Sequence, residues 1–190
     1  IPLTAPDSAA SFSGNSNAYV SLPSGFADFS NGFSAEVWLY PTAVTNYQSI
    51  FDLGNGAPGN NIRMLRVGTS NNLMVQVFSG TGGGTAVTAN NVIELNQWQH
   101  FAVTITGAGA AKIYKNGVEV AAGNTSAPVN VTRTSNYLGR TNWTSEGNFQ
   151  GYMDEVAFYN KVLTPLQIAA RANAGQYGTV NIELMQEGNP

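Results

Sequence analysis

Cysteine is absent from the 190 residues, which excludes disulfides, thiol nucleophiles and thiolate metal sites. Histidine occurs once, at His100, so imidazole catalysis is restricted to one position and a His-rich zinc site is impossible. Charge is scarce too. Only 10% of residues are Asp, Glu, Lys or Arg and the formal net charge is -3, leaving no basic field for nucleic acid and no cationic patch for an anionic membrane. No apolar run approaches the ~20 residues that span a bilayer, so membrane insertion is not expected. The chain begins at Ile1 without Met or a signal-peptide pattern, as an excised or processed piece would.

What remains is 43% hydrophobic residues and a polarity carried by Asn, Ser, Thr, Gln and Gly. The first is enough for one domain with its own core; the second is a surface of neutral hydrogen-bonding groups, suited to hydroxylated partners. Asn-x-Ser/Thr triplets at Asn124, Asn130 and Asn142 carry little weight in so Asn- and Thr-rich a chain.

Period-two alternation predicts strands. Ala18, Val20 and Leu22 share one face, and Phe33, Ala35, Val37 and Leu39 share the core face of the next run. Glu36, Trp38 and Tyr40 then lie on the opposite face, as a solvent surface or a groove. Ser49–Leu53, Ile62–Val67 and Leu73–Phe78 follow as short strands between Asn and Gly clusters. In Trp98–Thr106, Phe101, Val103 and Ile105 face the core, and His100 packs beside Trp98 on the other side. Asn116-Gly117 marks a two-residue hairpin turn pairing Tyr114 with Glu119 and Ile113 with Val120. Gly80–Thr85 lacks the Lys-Ser/Thr of a phosphate loop and reads as a flexible connection. Tyr137–Arg140 is a further strand, and the loop Thr141–Asn148 leads to a closing strand carrying Asp154 and Glu155.

One helix signal follows. Thr164 caps its start, Pro165 suits the first helical position and Gly175 supplies a stop. Nine or ten strands with one helix predict an all-β sandwich of two antiparallel sheets, with residues 1–178 as the domain and Thr179–Pro190 as a last strand or the start of a linker.

The segments Ala10–Leu22 (ASFSGNSNAYVSL), Phe33–Pro41 (FSAEVWLYP), Trp98–Thr106 (WQHFAVTIT), Ile113–Val120 (IYKNGVEV), Leu138–Arg140 (LGR) and Gly151–Ile168 (GYMDEVAFYNKVLTPLQI) together resemble the laminin G-like domains of the concanavalin A-like lectin/glucanase superfamily. The resemblance covers nearly the whole chain and implies a jelly-roll sandwich with one concave and one convex sheet. It also implies a secreted or cell-surface module that binds glycans or proteins, and in many relatives a structural calcium ion. Some relatives are glycoside hydrolases or polysaccharide lyases, and fold alone does not choose among these roles.

The hydrolases of this fold need two carboxylates projecting from one strand face, ~5–10 Å apart. Among the eleven acidic residues none lie at i and i+2, and the adjacent Asp154 and Glu155 go to opposite faces of a strand. A non-catalytic module is therefore expected, unless Glu36 meets a carboxylate from another strand. Asp154 shares parity with Val156 and Phe158 and so reads as core-directed, which requires a cation or several hydrogen bonds. The resemblance assigns Asp154 and the carbonyl of Gly14 to calcium; otherwise backbone amides or a basic residue satisfy the carboxylate.

Sugar recognition needs aromatic faces and planar polar groups. The rim loops offer Asn46 and Tyr47, and Arg140, Asn142 and Trp143, with Trp143 either exposed for binding or plugging the end of the sandwich. Arg63 and Arg66 point to opposite faces, so at most one joins a site. The expected function is extracellular carbohydrate binding, with a glycan or a cell-surface protein as partner; an adhesive protein-binding module and a hydrolase or lyase are the alternatives.

Overall fold

The computed structural model describes residues 9–177, so the expected tail, Thr179–Pro190, lies outside the described residues. Among the described residues, twelve strands form two six-stranded antiparallel sheets, β1-β12-β3-β8-β9-β10 and β2-β11-β4-β5-β6-β7. The first contains β1 (Ala10–Ser13), β12 (Gln150–Tyr159), β3 (Phe33–Pro41), β8 (Gln99–Ile105), β9 (Ala110–Lys115) and β10 (Val118–Asn124). The second contains β2 (Val20–Leu22), β11 (Ser135–Leu138), β4 (Ser49–Gly54), β5 (Ile62–Arg66), β6 (Leu73–Val77) and β7 (Thr85–Ala89). Helix α1 spans Pro165–Tyr177. The result is the expected jelly-roll-like sandwich.

The core lies between the sheets, where the predicted alternation holds. Phe33, Ala35, Val37 and Leu39 of β3 and Phe101, Val103 and Ile105 of β8 meet Phe51, Leu53, Ile62, Met64, Val75 and Val77 from the other sheet. Each fully buried aliphatic or aromatic side chain contributes about 1.5–3 kcal/mol relative to exposure, so this layer dominates the stability. β7 was not expected from the sequence: Thr85–Ala89 is short, small and polar, yet Val87 and Ala89 complete the core edge.

Two local expectations fail at β-bulges. In the β9–β10 hairpin, Asn116 and Gly117 have φ of 50° and 83°, as the tight turn requires, and Glu119 does pair with Tyr114. An irregularity then puts Ala121, not Val120, opposite Ile113. In β12, Asp154 pairs with Trp38 but Ala157 pairs with Glu36, and Glu155 takes φ 47°. The extra residue reverses the parity. Met153 is buried in the core before the bulge and Phe158 packs against it after, so Asp154 faces outward with Trp38 rather than inward with Phe158.

Helix α1 covers part of the outer face of the first sheet, with Ile168 packed among Ala102, Tyr114 and Leu163. Its start is a reciprocal cap: Gln167 N–H donates to Thr164 Oγ1 at 3.2 Å, and Thr164 N–H donates to Gln167 Oε1 at 2.9 Å. Gly175 lies inside the helix and is not its stop. None of the helical residues described forms a segment long and apolar enough to cross a membrane. At one end of the sandwich Arg133 is fully buried and donates to the carbonyls of Phe26, Ala27, Asn60, Val129 and Val131, with burial lowering its guanidinium pKa to about 10.

Candidate ligand-binding site

The pairing of the second sheet aligns Ser21, Tyr137, Asp52, Arg63 and Gln76 in one row across five strands. The row lies on the face opposite Phe51, Leu53, Ile62 and Met64, hence on the outside of the sandwich. Loop 139–148 passes over it, and the outward groups hold that loop in place. Asp52, fully buried, accepts from Asn61 Nδ2 at 2.7 Å, from the backbone N–H of Asn142 at 2.8 Å and from Thr141 Oγ1 at 3.3 Å. Burial pushes its carboxyl above the usual range, against the hydrogen bonds from Asn142 and Asn61 and the charge of Arg63.

Arg63 does the same for the loop's far side. Its Nη1 donates to both oxygens of Glu146, at 2.9 and 2.8 Å, while Nε and Nη2 donate to Gln76 Oε1. The guanidinium carbon lies 3.9 Å from the Trp143 ring centre, and Phe78 meets the same indole at 5.2 Å. Trp143 is thus half-buried and held from beneath, combining the two expected alternatives: part support of the loop, part open surface. Arg66 lies on the other face, buried and bonded to Gln48, Ser70 and Asn71.

Arg140 is placed differently. Its guanidinium stacks over Tyr19 at 4.6 Å and Tyr137 at 4.9 Å, and those two rings pack edge to face at 5.5 Å. Among the described residues it has neither an ion-pair partner nor a side-chain hydrogen bond, whereas Arg63 and Arg171 both have carboxylate partners. A cleft of about 380 Å³ opens beside it, lined by Arg140, Asn142, Trp143, Ser16, Asn17 and Asn148 among others.

Of the five predicted binding residues, Arg140, Asn142 and Trp143 line this cleft. Asn142 is partly occupied, its Nδ2 donating to the Ser135 carbonyl at 3.0 Å. Asn46 and Tyr47 do not line it. Their loop abuts 141–148 through the Gly147 N–H, which donates to the Asn46 carbonyl at 2.7 Å, while Tyr47 N–H donates to the Gly68 carbonyl on the far side. The sequence reading missed Tyr19, Tyr137, Asp52 and Glu146; only the register of strands distant in sequence brings them together.

The expected metal pair is not assembled. β1 pairs with β12 from Ala10 opposite Met153 to Ser13 opposite Gln150, so Gly14 and Asp154 lie beyond opposite ends of this ladder, roughly 17 Å apart at ~3.3 Å per residue. Asp154 Oδ1 accepts the N–H of Glu155 at 2.8 Å, bracing its own bulge. Among the described residues no group of three or more His, Asp or Glu side chains is arranged to hold an ion. These two residues do not fit a shared calcium site.

On the Glu36 face, Glu36 and Trp38 are buried, while Tyr40 stands toward an open end of the same face. Glu36 Oε1 accepts from Tyr159 Oη at 2.6 Å and from Arg171 Nη1 at 3.0 Å, and Oε2 lies 3.6 Å from His100 Nε2. Burial alone would raise this carboxyl, but the neighbouring His100, the Tyr159 hydrogen bond and the nearby Arg171 charge outweigh it and hold it below its ordinary value. Burial and Glu36 push the Tyr159 phenol up to about 12, so it remains a donor. His100 packs on Trp38, 5.5 Å between ring centres, and not beside Trp98, which packs on Tyr40.

Residues 13–169 match the family model described as the concanavalin A-like lectin/glucanases superfamily. No curated protein matches in sequence. Among solved structures, the chain is similar to domain 4 of AbnA, a GH43 extracellular arabinanase from Geobacillus stearothermophilus, in complex with arabinotriose: 30% identity, TM-score 0.68, covering 86% of this chain and 76% of that one. The heptameric SAP-like pentraxin of Limulus polyphemus (17% identity, TM-score 0.62, 85% and 80% coverage) and the CBM40 of Ruminococcus gnavus IT-sialidase (15%, 0.63, 81% and 96%) share the fold. The matched span takes in all the strands except β1, whose last residue it includes, and the chain belongs to the concanavalin A-like lectin/glucanases superfamily.

Proposed function

We propose that this domain is a non-catalytic carbohydrate-binding module that acts outside the cell and holds a glycan in the Arg140–Trp143 cleft. The observation that carries the reading is Arg140. A guanidinium fixed flat on Tyr19 and Tyr137, with its donors unspent, is prepared to hydrogen-bond several hydroxyl oxygens at once, and the half-exposed indole beside it offers an apolar face to a sugar ring. Both groups are anchored from the sheet, so little side-chain entropy is lost on binding.

The arabinotriose complex of the 30% identical arabinanase domain supports a short oligosaccharide as the ligand and a non-catalytic, extracellular role beside an enzyme. The engagement of Glu36 with Arg171, Tyr159 and His100 speaks against its service as a glycosidase base. Titration of arabinotriose and other short oligosaccharides into the domain tests the reading. Saturable binding weakened by Arg140→Ala and Trp143→Ala supports it. Binding of a cell-surface protein with no affinity for any oligosaccharide would replace it with the adhesive reading.

A further inference from the structure

The outer face of the first sheet carries a second aromatic row, unconnected with the Arg140 cleft. Tyr152 pairs with Tyr40 across β12 and β3, and Trp98, just before Gln99, follows on the next strand over, because Leu39 pairs with Gln99. The three rings therefore stand side by side on neighbouring strands, the outer two about 10 Å apart at two strand spacings. Tyr40 lies 5.6 Å from Trp98 and 5.9 Å from Tyr152 between ring centres. Trp98 is 43% exposed and Tyr152 42%, although both belong to the large side chains that folding normally covers.

The row stands at an open end of this sheet face. One row along, Trp38 is 7% exposed and His100 is buried, and further on α1 seals the surface. The open end is rigidly built. The Asn96 N–H donates to the Pro41 carbonyl at 2.8 Å, and buried Gln99 clamps the preceding turn through Glu94 N–H and the carbonyls of Glu94 and Gln97. Thr42 and Asn96 border the rings, giving an open cleft of about 490 Å³ with no charged residue in its lining.

We infer that the Tyr40–Trp98–Tyr152 row is a second carbohydrate-binding surface, one that takes a neutral, soluble polysaccharide chain. Stacked aromatic rings with a hydroxyl and an amide at the rim match alternating apolar faces and hydroxyl edges of sugars, and the lack of charge gives no preference for acidic ones. Successive rings tilt by 58° and 68°, so the row fits a chain whose residues turn relative to one another and does not fit a flat crystalline surface. With a ligand in each site, the domain would grip one long chain twice or two chains at once, gaining avidity without any new contact.

Affinity electrophoresis in gels containing soluble arabinan, galactan, xylan or mixed-linkage β-glucan tests this, with the wild type, Arg140→Ala, Trp98→Ala and Tyr152→Ala, each checked for an unchanged thermal transition. The expected result is retardation by at least one neutral polysaccharide that survives Arg140→Ala and is weakened about tenfold or more by both Trp98→Ala and Tyr152→Ala, with no binding to crystalline cellulose. If Trp98→Ala does not fold, Tyr152→Ala carries the test alone. The inference is overturned if Arg140→Ala abolishes every affinity, or if the aromatic variants keep each one that Arg140→Ala keeps. It is also overturned if sedimentation shows self-association that Trp98→Ala removes, which would assign the row to contact between copies. Absence of any affinity that depends on Arg140, with the aromatic-dependent one present, would count against the first site and leave this one standing.

Discussion

The Arg63 guanidinium lies 3.9 Å from the Trp143 ring centre while bonding both carboxylate oxygens of Glu146, so one cation fixes both the aromatic and the acidic side of the loop that forms the cleft. The pair is nearly excluded from water, with side-chain exposures of 7% and 11%. Removing a single partner strands the other charge. Arg63→Ala is therefore expected to destabilise the domain by about 3 kcal/mol, read from urea unfolding, and to weaken glycan binding as the indole loses its support. A change below about 1 kcal/mol with binding intact would show that loop 139–148 holds its shape without this pair.

Gly147 sets the distance between the two rim loops. A Cβ there would sit 2.7 Å from Thr45 Oγ1 and 2.8 Å from the Asn46 carbonyl, closer than side chains tolerate. Gly147→Ala is expected to push the loops apart, lowering stability by about 1–3 kcal/mol and reducing affinity for the cleft's ligand. A variant with wild-type melting and binding would place the cleft's rigidity elsewhere.

The Glu36 network supplies a pH signature. Its carboxyl is held below its ordinary value in the folded state, so the ionised form contributes stability that is present in full above the unfolded pKa of about 4.3 and is lost as pH falls through the lower folded value. The stability gap between wild type and Glu36→Gln should be constant from neutral pH down to about pH 5 and close below about pH 4. Thermal melts from pH 3 to 7 measure it; a gap independent of pH would mean that the charge of Glu36 contributes nothing.

The sequence made the sandwich legible because the buried runs Phe33–Leu39 and Phe101–Ile105 alternate cleanly, and the helix start because Thr164 is a capping residue directly before Pro165. β7 was illegible because Thr85 and Ala86 resemble a loop until Val87 finds the core. The bulge after Asp154 left no periodic trace, and it alone reversed the reading of that carboxylate. Within the cleft, Arg140, Asn142 and Trp143 were visible as a loop cluster. Their supports were not: Arg63 meets Glu146 across 83 positions of sequence, and Tyr19 meets Tyr137 only through strand pairing.

Asp154 braces its own bulge through the Glu155 N–H. Asp154→Ala is expected to cost about 1 kcal/mol, equally in calcium and in chelator. Thermal melts of wild type and variant in both buffers measure it. A wild-type midpoint that falls in chelator, with the variant insensitive, would restore Asp154 as a calcium ligand.

The most direct test of the account is calorimetric titration of arabinotriose into the wild type, Arg140→Ala and the Tyr19→Ala variant that removes one of the rings beneath the guanidinium. The account predicts saturable binding, weakened at least tenfold by Arg140→Ala, a loss of about 1.4 kcal/mol, and weakened less by Tyr19→Ala, which leaves Tyr137 as a support. Equal affinity in all three proteins would contradict the assignment of the Arg140–Trp143 cleft as the binding site.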